Sequence, residues 1–194
     1  MDELKGGKNM KKPISMLALL LFFSAAFASP IAVSQEKASE KKVISLKEVT
    51  SFTYCCIPHK GPFTEIEKVI GQLMQAIQGQ NIHPAGAMIG IYYNSPNEVK
   101  PEDLEWEMGF PITAQVNVMA PLQKKQWEFA LVASAIHTGP YETTGQTYIK
   151  IFEWMQDNGL IQEGPVLERY LTMPTPETKP EDLKAEIWVP CRKK

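Results

Sequence analysis

The sequence predicts an α+β fold: two β-α-β-β units about a pseudo-twofold axis, with antiparallel strands, both helices on one side and a central cleft. Three observations predict it. The first is a motif order told twice. His59-Lys60-Gly61-Pro62-Phe63 is followed by a helix-like run to Asn81, by Tyr92, by Lys100-Pro101-Glu102-Asp103-Leu104 and by Glu107 to Pro111; His137 to Tyr141, Asn158-Gly159, Tyr170, Lys179 to Leu183 and Glu186 to Pro190 repeat it. The second is a constant offset, 78 residues as far as Pro96/Pro174 and 79 from Lys100/Lys179 onward, which one inserted loop residue explains. The third is the change of hydrophobic period within each copy, from strand to helix and back. Repeat one is placed at 43–112 and repeat two at 127–191.

The N-terminus reads as a leader. Lys11-Lys12 precede the apolar run Met16 to Phe23 and the small-residue site Ala26-Phe27-Ala28, the pattern of a secretory signal peptide over residues 1–28. The run falls short of the ~18–20 residues that span a bilayer. Residues 29–42 hold too little apolar surface to fold and read as a flexible linker. The expectation is an exported protein, periplasmic or secreted, free of the membrane once cleaved.

Without residues 1–28 the chain keeps 16 basic and 20 acidic side chains. That balance gives no footprint for nucleic acid. Cys55 and Cys56 are neighbours in a strand and point to opposite faces. At most one of them can reach Cys191, and small buried thiols are an equal alternative.

Val43 to Leu46 begins a strand, and Phe52 to Ile57 is a β-branched and aromatic run stopped by Pro58 and the Gly61-Pro62 turn. Thr64 to Glu67 has the capping-box pattern, and Phe63, Ile66, Ile70, Leu73, Met74 and Ile77 fall on one helical face. Strands follow at Ala87–Tyr93 and Leu104–Phe110. Residues 112–126 connect the halves, with a further strand at Thr113–Met119. The second unit is a strand Trp127–Ile136, a helix Tyr141–Asp157 with Tyr141, Tyr148, Phe152 and Met155 on its apolar stripe, and strands Val166–Leu171 and Leu183–Val189. Asn158-Gly159 suits its C-terminus.

Alternation along the last two strands assigns their faces. Ala185, Ile187 and Val189 lie under the helix, with Glu186 and Trp188 opposite. Leu167 and Leu171 mark the helix side of the preceding strand, which leaves Val166, Glu168 and Tyr170 on the far side. The face away from the helices would then collect Glu168, Glu186, Tyr170 and Trp188. Glu107 matches Glu186 and Tyr92 matches Tyr170, whereas Glu168 matches Gly90 and Trp188 matches Gly109. An acid and a ring would thus project into room left by glycines. Aromatic walls with a carboxylate suit organic cations and flat apolar molecules. The same residue types also suit a solvated strand acid and a core ring. His59 and His137 read as turn-stabilising residues, and with His83 they are too scattered to nominate a metal site; no cofactor is expected.

The paired His-x-Gly-Pro-[Tyr/Phe] turns, Gly164-Pro165-x-x-Glu168-x-Tyr170, the Pro-Glu-Asp-Leu loops and the terminal Glu186-Ile187-Trp188-Val189-Pro190 resemble the GyrI-like ligand-binding domain. That module serves as the effector-binding domain of AraC- and MerR-type transcription activators. The resemblance covers residues 43–191. It implies a cleft for small hydrophobic or cationic compounds, with Glu168 as the acid that meets the ligand and Tyr170, Glu186, Trp188, Tyr92 and Gly90 around it. Some relatives hydrolyse cyclopropane-bearing toxins with a cleft glutamate. Three functions therefore compete: binding of a small organic molecule, hydrolysis using Glu168, and protein interaction through the same concave face. Oligomeric state is left open.

Overall fold

The computed structural model describes residues 44–194. The expected signal peptide and linker lie outside the described residues. The elements run β1 (Ser45–Glu48), β2 (Phe52–Lys60), α1 (Ile66–Gly79), β3 (Ile89–Tyr92), β4 (Glu105–Pro111), β5 (Gln123–Trp127), β6 (Leu131–Thr138), α2 (Gly145–Asp157), β7 (Leu160–Gln162), β8 (Val166–Tyr170) and β9 (Lys184–Lys193). Nine antiparallel strands form one sheet in the order β1-β6-β9-β8-β3-β4-β2-β5, and β7 pairs with β9. Among the described residues no helix is long and apolar enough to cross a membrane.

Both helices cover one face, because hydrophobic stripes at helical spacing must be buried against a sheet. α1 buries Val69, Leu73 and Ile77 against Cys55, Ile57, Trp106, Met108 and Phe110 of β2 and β4. α2 buries Ile151 and Met155 against Ala133, Ala135, Ile187, Val189 and Cys191 of β6 and β9. The two central strands, β8 and β3, therefore run between the helices. The opposite face has its own core: Tyr54, Cys56, Ile89, Ile91, Trp127, Val132, Leu167 and Trp188.

Each helix is entered through a 3-10 turn, Phe63–Glu65 and Tyr141–Thr143, and neither is capped by a side chain. The Thr64–Glu67 box therefore does not form. Asn81 and Gly159 adopt positive φ, 51° and 65°, just beyond the two helix ends, the conformation that Asn and Gly tolerate best. His137 ties the second turn together: Nδ1 lies 2.9 Å from Thr147 Oγ1 and Nε2 lies 3.0 Å from Pro140 O. His59 Nε2 lies 2.8 Å from Glu65 in the first turn.

Several expectations need correcting. Thr113–Met119 forms no strand; Val116 and Val118 pack on the α1 core from a loop. The run Trp127–Ile136 is two strands, β5 and β6, broken at Glu128–Ala130. The buried stripe of α2 is Thr147, Ile151 and Met155, which leaves Tyr148 half-buried and Phe152 exposed beside it. Of the two alternatives left open for the cysteines, small buried thiols hold: Cys55, Cys56 and Cys191 are all free and buried. β2 and β9 stand four strand spacings apart, roughly 19 Å at ~4.8 Å each, whereas a disulfide needs Cα atoms within about 7 Å.

Candidate functional site between the helices

Register settles which side chains share a face, because directly paired residues of an antiparallel sheet project to the same side. Leu167 pairs with Trp188 and Arg169 with Glu186, while Glu168 pairs with Ile187 and Tyr170 with Ala185. Since Ile187 lies under α2, Glu168 and Tyr170 face the helices. Trp188 and Glu186 face away. The expected grouping of all four on one face is therefore wrong: Leu167 packs in the core on the far side and Leu171 is exposed. Glu168 and Tyr170 belong to one site, and Glu186 and Trp188 to another.

Glu168 is 5 % exposed on the central strand. Tyr148 of α2 donates to its Oε1 at 2.7 Å and Tyr170 donates to its Oε2 at 2.9 Å. The Tyr92 and Tyr170 hydroxyls meet at 2.6 Å. Phe63 stands edge-on to Tyr92, and Tyr141 edge-on to Tyr170. Burial pushes the Glu168 carboxyl above the ordinary glutamate range, while Tyr148, Tyr170 and Thr144 pull it back. Burial, followed by the Glu168 charge, raises Tyr92, Tyr148 and Tyr170. None of the ion pairs among the described residues includes Glu168. It is a buried acid solvated by phenols, without a cation.

Gly90 is Glu168's direct partner across β3 and β8. The space above it is taken: a Cβ there would lie 2.9 Å from the Tyr92 hydroxyl and 3.0 Å from that of Tyr170. The glycine makes room for the tyrosine pair, not for an open hollow. Gly109 offers no room to Trp188 either, for a Cβ would overlap the Cys55 carbonyl on β2.

The rims of this furrow were not among the expected site residues. Tyr148 reaches the central strand from α2, so the line Thr144, Tyr148, Phe152 along that helix flanks the furrow. On α1 the positions 78 residues earlier are Ile66, Ile70 and Met74, beside the buried line Val69, Leu73, Ile77. Met74 is 46 % and Phe152 41 % exposed. The signal in the sequence was the offset itself, applied to residues next to the buried stripe.

On the far face Glu186 is saturated. Its Oε1 accepts from Lys47 at 2.6 Å and Ser134 at 3.2 Å, and its Oε2 from Arg169 at 2.5 Å. Burial alone would raise this carboxyl, but Lys47, then the Trp188 indole and the Arg169 charge, outweigh it and hold it below the usual range. Lys47 and Arg169 also lie 5.0 and 4.9 Å from the Trp188 ring. The positions a cationic guest would take over that indole are already filled by the protein's own cations.

A family model for the GyrI-like small molecule binding domain matches residues 42–192. No curated protein matches. Among solved structures, the C-terminal domain of EcmrR is similar at a TM-score of 0.70 and 19 % identity, over 79 % of this chain and 99 % of that one. In the complex of EcmrR with DNA the TM-score is again 0.70 at 18 % identity, over 78 % of this chain but only 58 % of the other. A hydrolase from Listeria innocua is similar at a TM-score of 0.62 and 14 % identity, over 82 % of this chain and 96 % of that one. At such identities the likeness shows the fold. With the matched family model spanning nearly the whole described region, the chain belongs to the family of GyrI-like small molecule binding domains.

Proposed function

We propose that this domain binds a small organic cation with an apolar body in the furrow between α1 and α2, against Glu168. One observation carries the reading: a carboxylate 5 % exposed, ringed by phenols and paired with no cation. Burying such a charge is costly until a counter-charge arrives. Tyr92, Tyr141, Tyr148 and Tyr170 supply π-faces that attract a cation as well. Ile70, Met74 and Phe152 at the rims add apolar surface for the rest of the guest. The repeated β-α-β-β order and the Gly90–Glu168 pairing support a doubled unit whose two halves meet at this acid. On the strength of the Lys11–Ala28 pattern, the domain works outside the cytoplasm.

A second reading is hydrolysis. The raised Glu168 carboxyl, held beside tyrosine hydroxyls, has what a general acid or base needs. Titration with benzyltrimethylammonium separates the two. A binder loses affinity in Glu168→Gln, and the parent leaves the compound intact. An enzyme turns over a strained electrophile and stops doing so in Glu168→Gln while still holding it. If Glu168→Gln binds the cation as tightly as the parent, the furrow is not the site.

A further inference from the structure

The far face of the sheet carries a second carboxylate in a setting that mirrors Glu186 yet lacks one of its partners. Glu107 on β4 is 1 % exposed. Tyr54 donates to its Oε1 at 2.7 Å, and Lys125 of the edge strand β5 donates to its Oε2 at 2.5 Å. Lys125 and Lys47 stand 78 residues apart and hold matching places: Lys125 pairs with Tyr54 on β2, Lys47 with Val132 on β6. Each flanking strand thus hands one ammonium to one buried glutamate.

The two settings then diverge. Glu186 is paired across the ladder with Arg169, whose guanidinium supplies a second cation. Glu107 is paired with Ile91 in the same place. Beside Glu107 lies a hollow of about 440 Å³ lined by Pro58 and Tyr93 as well as by Lys125. Tyr93 is half exposed at the hollow and its ring lies 5.8 Å from the Lys125 ammonium. Of the carboxylates that line the hollow, Glu105 lies 3.8 Å from Lys60 at the exposed rim, and the buried Glu107 has Lys125 as its one cation where Glu186 has two.

We propose that the hollow beside Glu107 is a second ligand site, separate from the furrow, for a small aromatic or alkyl ammonium. The guest supplies the second positive charge that Arg169 gives to Glu186. A carboxylate has about four lone-pair sites; Tyr54 and Lys125 take two of Glu107's, and the weaker donor Cys56 and the half-exposed Tyr93 reach it as well. The guest's ammonium approaches Glu107 from the side of Tyr93, and its apolar body lies against Tyr93 and Pro58.

The test is calorimetric titration with benzylammonium in a Glu168→Gln background, which removes the furrow acid and keeps the two sites distinguishable. Saturable binding should persist there and weaken about tenfold or more when Tyr93→Lys places a tethered ammonium at the mouth. Glu107→Gln should weaken it similarly. Should Glu107→Gln fail to fold, Tyr93→Lys alone decides, since its side chain is half exposed. Absence of saturable binding in the Glu168→Gln background, or binding indifferent to Tyr93→Lys, overturns the proposal.

Discussion

Gly90 and Glu168 face each other as direct partners on the two central strands, and the side chain that Gly90 lacks is replaced by the hydroxyls of Tyr92 and Tyr170. Gly90→Ala should therefore act through those tyrosines. Its Cβ would meet only the ends of two side chains, so the cost is at the low end of overpacking, about 1 kcal/mol. The substitution should still part Tyr170 from Glu168 and weaken cation binding. Gly109→Ala presses on β2 backbone instead and should cost more, about 3 kcal/mol. Urea midpoints of the two variants check the order; equal losses would show that the tyrosine pair is not what Gly90 accommodates.

The acid of the furrow should give stability a pH slope of its own. Burial raises the folded-state Glu168 pKa above the unfolded value. Between those two values the folded state holds the proton that the unfolded state has lost, so stability falls as pH rises through the window. Glu168→Gln should remove that slope and leave the protein more stable at neutral pH than its parent. Urea unfolding from the ordinary glutamate range upward measures it. A parent curve with the same slope as the variant would contradict the assignment.

How much of this was legible beforehand follows from which physics each residue obeys. Both helices, the strands that flank them, both turns and the helix C-terminal ends are readable because Gly-Pro, Asn81 and Asn158-Gly159 act locally. That Glu168 is a candidate site residue comes from the resemblance. Its face was not readable. Two leucines flanking Arg169 looked like a helix-side stripe, but both faces of this sheet are cored, so apolarity does not tell one from the other, and only the pairing with Ile187 does. β5 was missed because Gln123 to Gln126 is polar, as an edge strand can be. Its role shows only when Lys125 is set beside Lys47. Tyr148 was misread as core because it lies next to the buried stripe of α2.

The Glu186 cluster should behave in the opposite sense to Glu168. Lys47 and Arg169 hold its carboxyl below the ordinary range. The folded state then releases a proton that the unfolded state keeps, so this stability is present above the unfolded pKa and is lost as pH falls through the folded one. Arg169→Ala leaves Lys47 in place at a partly exposed pair, so about 1–2 kcal/mol should go at neutral pH, less than for a fully buried pair. The deficit should shrink on acidification. A deficit unchanged by acid would mean that Arg169 acts by packing on Trp188 alone.

His137→Ala separates the turn from the furrow. The ring bridges Thr147 on α2 and Pro140 O in the turn from a site 2 % exposed. Removing it leaves buried polar groups unmade, at about 1–3 kcal/mol. A structural role predicts a lower thermal midpoint with cation affinity unchanged once the protein is folded. Loss of affinity at full folding would instead tie the turn to the site.

Tyr148→Phe tests how the furrow balances its charge. The tyrosine gives Glu168 one of two phenolic hydrogen bonds and comes from the helix, whereas Tyr170 comes from the strand itself. Without Tyr148 the carboxylate loses a donor that pulls its pKa down, so the folded pKa should climb further and the pH slope of stability should extend upward. On the proposed function, cation binding needs the charged acid. Affinity should therefore fall in Tyr148→Phe near the lower edge of the window and recover as pH rises past the new pKa, because the ring and its π-face remain. Titrations with benzyltrimethylammonium across that range distinguish this from simple loss of contact. A deficit that is constant with pH would mean that the hydroxyl touches the guest directly instead of tuning the acid behind it.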